Sequence, residues 1–204
     1  MCRFKSGIIL KNKVVVAPGE NDSHSDLLES LGINDDYFGA TNVFVRAELV
    51  PVNDEWWIDP AEEPDKWRFI VDQDMRPEWF DKSEHEKIFR EAVCGWWKEH
   101  VLVDQKLEEL SSGYYRLKRC EVKKLLNDVK VLLGSSQVGE MWGSSRVGEM
   151  WGNSQVGKML ESSQVGKMWG RSTAKDFKNW PKVKIWVSPE GTFEMVAHQN
   201  KSEE

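Results

Sequence analysis

A few side chains in the first half of the chain are of types that could support chemistry. Cys2 follows Met1, so removal of Met1 would leave an amino-terminal thiol with its own amine as a base. His24 lies in a polar turn, and Asp72 and Asp74 follow a predicted strand, where two carboxylates can bind a cation or act as an acid/base pair. These groups define one hypothesis, an enzyme that uses Cys2 or a site at His24, Asp72 and Asp74.

No complete catalytic motif accompanies these residues. The sequence has no phosphate-binding glycine loop, no H-E-x-x-H pair and no nucleophile elbow. Its three cysteines, Cys2, Cys94 and Cys120, are odd in number and form no C-x-x-C pair, which argues against a disulfide framework or a structural zinc site. We therefore expect a non-catalytic protein without a cofactor or a bound metal.

The charge distribution is strongly asymmetric. The net charge is −6, but the stretch Glu20–Leu110 holds 24 acidic and 9 basic residues, and the remainder is net positive. Such a stretch repels nucleic acid and attracts basic surfaces, although it also serves simply as a solubilising surface. We expect its acids to bind a protein partner with a basic surface. The candidate partner-binding residues are Asp35, Asp36, Asp54, Glu55, Glu62, Glu63, Asp65, Asp72 and Asp74.

A basic run follows the acidic stretch. It includes Arg116, Lys118, Arg119, Lys123 and Lys124. Nucleic-acid binding through segment 116–130 is a further alternative, and a solvated linker face is the simpler interpretation.

A nine-residue repeat dominates the last third of the chain. Its central copies read GSSQVGEMW, GSSRVGEMW, GNSQVGKML and ESSQVGKMW. A fixed period indicates a repeat architecture. The glycines and serines of each unit oppose a helix and favour short strands joined by tight corners. Apolar residues keep the same frame from Val129 to Val196, so we predict a small β-solenoid there.

The charges within the repeat indicate how many units form one coil. The residue before each methionine is Glu140, Glu149, Lys158 and Lys167 in turn. Two units per coil would stack each glutamate on a lysine, whereas one unit per coil would stack like charges. We therefore predict two repeats per coil.

Strand alternation assigns the faces of each repeat. Because neighbouring residues of a strand point to opposite faces, Val138 and Met141 should face inward, with a bend at Gly139 between them. The tryptophan position then faces outward, and the predicted solenoid contact face consists of Trp142, Trp151 and Trp169. This face could contact solvent, the N-terminal domain or a second copy of the chain in a homodimer.

The residues before the repeat indicate an α+β domain. The sequence predicts, in order, a hairpin of Ile8–Leu10 and Val14–Val16, a helix at 25–31, strands at 43–50 and 67–71, a helix from a capping box at Ser83 and Glu86 to His100, and a short helix at 104–110. We predict an acidic domain at 1–118, a connector at 119–128, the solenoid at 129–196 and a flexible tail at 197–204.

Composition limits the setting of the protein. With 40% hydrophobic and 30% charged residues, the chain has the composition of a globular protein. No apolar run approaches the roughly 20 residues needed to span a bilayer, and the run at 8–10 is too short for a signal peptide. We expect a cytoplasmic protein of a bacterial cell that does not bind a membrane.

Two motifs and the repeat together carry a resemblance. His-x-x-Leu-Leu at 24–28, Val-Asp-Gln-Asp-x-x-Pro-Glu-Trp-Phe at 71–80 and the Ser-x-Val-x-x-Met repeat resemble uncharacterised proteins of phages and gut bacteria. The resemblance implies a mobile-element setting. We expect a non-catalytic interaction protein that binds a basic, nucleic-acid-binding host defence protein in the manner of an anti-CRISPR inhibitor.

Overall fold

The chain forms two compact units, Met1–Glu99 and His100–Glu204. The computed structural model describes residues 4–175 and the backbone of 186–187. The N-terminal unit is α+β, and the C-terminal unit is a β-solenoid with two strands per coil. The predicted fold class is thus confirmed.

The N-terminal unit contains a four-stranded antiparallel sheet in the order β2-β1-β3-β4. Its elements are β1 (Lys5–Leu10), β2 (Lys13–Val16), α1 (His24–Ser30), α2 (Tyr37–Asn42), β3 (Phe44–Pro51), β4 (Trp67–Val71) and α3 (Lys82–His100). The predicted hairpin, both predicted strands and both predicted helices before residue 100 are present, and α2 is an additional short helix.

The start of α3 differs from the prediction. The Asp81 carboxylate accepts a hydrogen bond from the backbone N–H of Glu84 at 2.8 Å, so Asp81 caps the helix and the predicted capping box at Ser83 is wrong. A carboxylate suits this position because it also interacts favourably with the positive end of the helix dipole. The buried positions of α3 are His85, Phe89, Val93 and Trp96.

The solenoid consists of two parallel sheets. One has the strand order β14-β12-β10-β8-β6 and the other β15-β13-β11-β9-β7-β5, so consecutive strands alternate between the sheets. The strands are β5 (Val101–Val103), β6 (Lys106–Leu110), β7 (Tyr114–Lys118), β8 (Glu121–Leu125), β9 (Lys130–Gly134), β10 (Gln137–Met141), β11 (Arg146–Trp151), β12 (Gln155–Met159), β13 (Gln164–Met168), β14 (Thr173–Ala174) and β15 (Trp186–Val187). About five coils lie between residues 101 and 174.

The solenoid begins at Val101, well before the predicted start at Val129. The predicted connector at 119–128 contains β8, and the predicted helix at 104–110 is β6. The early coils are shorter than eighteen residues, because Val101 pairs with Arg116 fifteen positions later and Val138 pairs with Val156 eighteen positions later. These early coils therefore do not share the nine-residue period of the central repeats.

The corners account for this change in coil length. Residues with positive φ recur eight positions apart at Arg119, Asn127, Ser135 and Gly143, and nine apart at Gly143, Gly152, Glu161 and Gly170. The shorter spacing of the early corners also changes the strand register. Val131 pairs with Val147, whereas a constant nine-residue period predicts Val129 at that place. The predicted repeat units after residue 175, β15 excepted, and the predicted tail at 197–204 lie outside the described residues.

The solenoid interior is a continuous stack of apolar side chains contributed by both sheets. Val138 pairs with Val156 and Met141 with Met159, and all four side chains are almost completely buried. Burial of a valine or methionine side chain contributes about 1.5–3 kcal/mol, so the stack is a main source of stability. The predicted inward orientation of Val138 and Met141 is confirmed.

Opposite charges stack on the outer face. Lys158 Nζ lies 3.2 Å from Glu140 Oε1, and Lys167 Nζ lies 3.7 Å from Glu149 Oε1. Hydrogen bonds from Trp142 and Lys158 lower the pKa of Glu140 below its usual value. These stacked pairs confirm two repeats per coil.

Buried serines line the corners of the solenoid. Ser136 Oγ accepts a hydrogen bond from the Cys120 N–H at 3.0 Å, and Ser154 Oγ accepts one from the Ser136 N–H at 3.2 Å. The hydroxyl of one coil thereby satisfies a buried backbone donor of the preceding coil. This column of serines holds neighbouring coils in register.

A column of glycines allows two backbones to approach closely on each sheet. A Cβ atom added to Gly157 would lie 2.5 Å from the Gly139 carbonyl oxygen, and one added to Gly166 would lie 2.4 Å from the Gly148 carbonyl oxygen. Both distances are too short for a carbon atom, so a side chain at these positions would force adjacent coils apart.

We predict that Gly157→Ala destabilises the solenoid by about 1–3 kcal/mol, because the new methyl group overpacks the contact with Gly139. Urea unfolding followed by far-UV circular dichroism measures this change. Gly95→Ala is the control, since Gly95 lies in α3 with open space around it and alanine favours a helix. Equal or higher stability of Gly157→Ala would contradict the glycine column.

Candidate functional site

The N-terminal unit brings together three potential ligand groups. The cluster of His24, Glu48 and Asp72 contributes one ring nitrogen and two carboxylate oxygens, which all lie within 4.8 Å of one another. The His24 side chain is 9% exposed and Glu48 is half-buried, whereas the Asp72 side chain is 58% exposed. The cluster is therefore buried on one side and open to solvent on the other.

The sheet and α1 position this cluster. Glu48 pairs with Ile70 across β3 and β4, and Asp72 follows two residues later, on the same face as Ile70. The Asp72 N–H donates to the Arg46 carbonyl at 2.9 Å, which fixes the backbone at the cluster. Ser23 caps α1 by accepting a hydrogen bond from Asp26, and His24 is the first residue of that helix.

The hydrogen bonding of His24 determines which ring nitrogen is free to accept. Its Nε2 lies 3.1 Å from the Ala47 carbonyl oxygen, which can only accept, so Nε2 carries a proton. In the neutral ring, Nδ1 then presents a lone pair, and it lies 3.4 Å from Asp72 Oδ2. Two acceptors thus face each other, an arrangement that a proton or a cation between them would stabilise.

The environment of Glu48 disfavours its ionised form. Burial is the main cause, and the nearby carboxylates of Asp72 and Asp22 add to it, so the pKa of Glu48 rises to about 7. Perturbed carboxylates of this kind are common at functional sites.

The structure brings together two of the three residues of the predicted His24, Asp72 and Asp74 site. His24 and Asp72 are adjacent, Asp74 is exposed and lies outside the cluster, and Glu48 completes it. Glu48 was not predicted, because its only signal is an acid on the half-buried face of a strand. Cys2 lies outside the described residues.

The two cysteines of the described residues have little thiolate character. Burial raises the pKa of both the Cys94 and the Cys120 thiols above the ordinary value. A raised pKa leaves a thiol protonated and weakly nucleophilic at neutral pH.

Five of the nine predicted partner-binding acids fall into two groups. Asp35 forms an ion pair with Arg46, and the Asp36 carboxylate caps α2, so these two have structural roles. By contrast, three exposed acids lie next to one another on the segment before β4 and form no ion pair within the described residues. This acidic ridge consists of Glu62, Glu63 and Asp65.

An exposed aromatic pair follows Asp36. Tyr37 and Phe38, at the start of α2, are 70% and 68% exposed. Aromatic side chains that are this exposed are typical of contact surfaces. Neither residue was predicted as a contact residue.

An open groove of about 700 Å³ lies along α3 in the N-terminal unit. Pro60, Ala61 and Pro64 line one side, and Lys87 and Lys98 are among the residues that line the other. The acidic ridge belongs to the same segment as the first side, so a negatively charged surface borders the groove.

The basic segment 116–130 is part of the solenoid, and its cations are largely engaged. Arg119 forms an ion pair with Asp104 at 2.6 Å, and Lys123 forms one with Glu108 at 2.7 Å. Arg116 is buried and donates to the Tyr114 hydroxyl. Ion pairs reduce the positive electrostatic potential that would attract a phosphate backbone, which argues against the nucleic-acid alternative.

The three tryptophans of the predicted contact face do not form one ladder. Trp151 and Trp169 stack with ring centroids 5.3 Å apart, whereas Trp142 follows β10 in the other sheet. Trp142 is the most exposed of the three, at 36%, and the other two are partly buried. The predicted face is therefore two separate columns, because consecutive repeats belong to opposite sheets.

Comparison with protein-family models, curated proteins and solved structures gives no match for this chain. None of the helices in the described residues combines the length and the apolar character needed to span a membrane.

We predict that Glu48→Gln raises stability at pH 8 but not at pH 4. The folded pKa of about 7 exceeds the unfolded value, so ionisation of Glu48 lowers the free energy of unfolding as the pH rises from about 4.5 to 7. With solvent screening, the gain at pH 8 should be about 1 kcal/mol.

Urea unfolding in the presence of a chelator at pH 4, 6 and 8 measures the difference between wild type and variant. Glu29→Gln, at an exposed position of α1, is the control and should show no pH-dependent difference. A constant difference across the three pH values would show that Glu48 is ordinarily ionised.

Proposed function

We propose that this chain is a non-catalytic interaction protein whose acidic N-terminal unit binds a basic surface on a partner protein. The solenoid acts in this proposal as a rigid scaffold for assembly. The acidic ridge and the bordering groove form the principal contact, and Tyr37 and Phe38 supply a further aromatic contact surface.

One observation carries the proposal, namely the contrast in charge pairing within the chain. On the solenoid, glutamates and lysines stack on one another in adjacent coils, as at Glu140 and Lys158. The acidic ridge has no such partners within the described residues. Uncompensated surface charge speeds and selects association with an oppositely charged protein.

The biological setting belongs to the proposal as well. A nucleic-acid-binding host defence protein, such as a CRISPR effector, presents the basic surface that the ridge would complement. Occupation of that surface would block nucleic acid, as an anti-CRISPR inhibitor does. The mobile-element origin and the cytoplasmic location in a bacterial host remain predictions from the sequence.

We predict that the triple substitution E62Q/E63Q/D65N weakens partner binding at least about tenfold, because it removes three charges from one surface. Affinity capture from bacterial cytosol identifies the partner, and calorimetry with the purified partner at 50 and 300 mM salt measures the affinity. Wild-type binding should weaken as salt rises.

The matched control is E20Q/E29Q/E78Q, which removes the same charge from exposed positions outside the ridge. It should bind within about twofold of wild type at 300 mM salt, where long-range charge effects are screened. Recovery of salt-insensitive partners only, or of no partner, would contradict the proposal.

We predict that the free protein forms a homodimer through the solenoid and that Trp142→Ser weakens it. Removal of an exposed aromatic side chain reduces apolar contact area. Light scattering after size exclusion measures the mass. A wild-type mass of 23.6 kDa at all concentrations would show that the solenoid does not assemble in this way.

A further inference from the structure

The cluster of His24, Glu48 and Asp72 lies outside the acidic ridge, the groove and the aromatic pair that form the proposed contact surface. Its groups come from three elements: the start of α1, the middle of β3 and the residue after β4. His24 is about nine-tenths buried; its Nε2 is hydrogen-bonded to the Ala47 carbonyl, and its Nδ1 lies 3.4 Å from Asp72 Oδ2. A neutral ring with its proton on Nε2 would direct a lone pair at the Asp72 carboxylate, and a cation between the two groups would bind both.

Two cations of the same sheet pair with carboxylates outside the cluster. Lys5 Nζ lies 2.8 Å from Asp22, and Arg46 forms an ion pair with Asp35. The cluster combines two carboxyl groups with one imidazole, a donor set that reaches a charge of −2 when a divalent cation displaces the protons of the cluster.

The spacing of the donor atoms also suits a metal ion. Tetrahedral ligands at about 2.1 Å from an ion lie about 3.4 Å from one another. His24 Nδ1 and Asp72 Oδ2 are already 3.4 Å apart, and the other donor atoms need to move by an ångström or so. The bond from Nε2 to the Ala47 carbonyl is the backbone contact that commonly orients a metal-binding histidine.

We propose that His24, Glu48 and Asp72 bind a divalent transition-metal ion, of the class of Zn²⁺ or Mn²⁺. An imidazole ligand favours such an ion over Mg²⁺ and Ca²⁺, which prefer oxygen ligands alone. The exposed side of Asp72 leaves coordination positions open to water or to an anionic group.

The test uses the full chain, stripped of metal with a chelator and then desalted. Electron paramagnetic resonance measures Mn²⁺ binding, and calorimetry measures Zn²⁺ binding. We expect one saturable ion per chain and a weaker affinity for Mg²⁺. His24→Ala, Glu48→Gln and Asp72→Asn should each weaken binding at least about tenfold. Mn²⁺ is included because thiolates bind it poorly, so that the cysteines do not account for its binding.

Two control variants, Glu62→Gln and Asp65→Asn, remove exposed carboxylates of the same unit and should keep the wild-type affinity. Asp72→Asn is the decisive variant, because Asp72 is largely exposed and its substitution should leave the fold intact, as circular dichroism can check. Absence of saturable binding, or equal affinity in Asp72→Asn and wild type, would overturn the proposal. Because partner capture by the acidic ridge is measured separately, either proposal can fail alone.

Discussion

The register between parallel coils is the constraint on which the solenoid depends. Backbone hydrogen bonds join each strand to the equivalent strand of the next coil, so residues of one type must recur at the same place. A slip of one residue would move Glu140 toward the interior and Met141 toward solvent, because neighbouring side chains point to opposite faces. Apolar stacking inside and opposite charges outside therefore favour the same alignment.

The central coils could be predicted because their repeats align the chain with itself. The order Glu, Glu, Lys, Lys at one repeat position was sufficient to indicate two repeats per coil, because only that arrangement stacks each glutamate on a lysine. The earlier coils retain the apolar spacing of i and i+3, as at Val122 and Leu125, but not the repeat letters or the constant period. Local propensity at 104–110 favoured a helix, and pairing with β8 imposed a strand instead.

The repeat also carries a structural signal at a serine position for which no role was predicted. Serine is present in every central unit at the second corner position, from Ser136 to Ser172, whereas the residue before it varies. That invariance within one chain indicates a structural role, which the hydrogen bonds of Ser136 and Ser154 explain. The buried hydroxyls of Ser145, Ser163 and Ser172 have no hydrogen-bond partner in the described residues, and nothing in the structure explains them.

The candidate site was predicted in part, since His24 and Asp72 were grouped by residue type but Glu48 was not. His24 and Asp72 are 48 positions apart, and they meet because β3 pairs with β4 and α1 begins beside Ala47, which are long-range contacts that no local pattern encodes. Glu48 looked like an ordinary strand residue for the same reason. The chain pairs its charges closely along the solenoid, so acids without partners in the N-terminal unit stand out as exceptions. A basic partner would complement the exposed negative charge of the ridge, and a bound cation would offset the cost of ionising the half-buried Glu48.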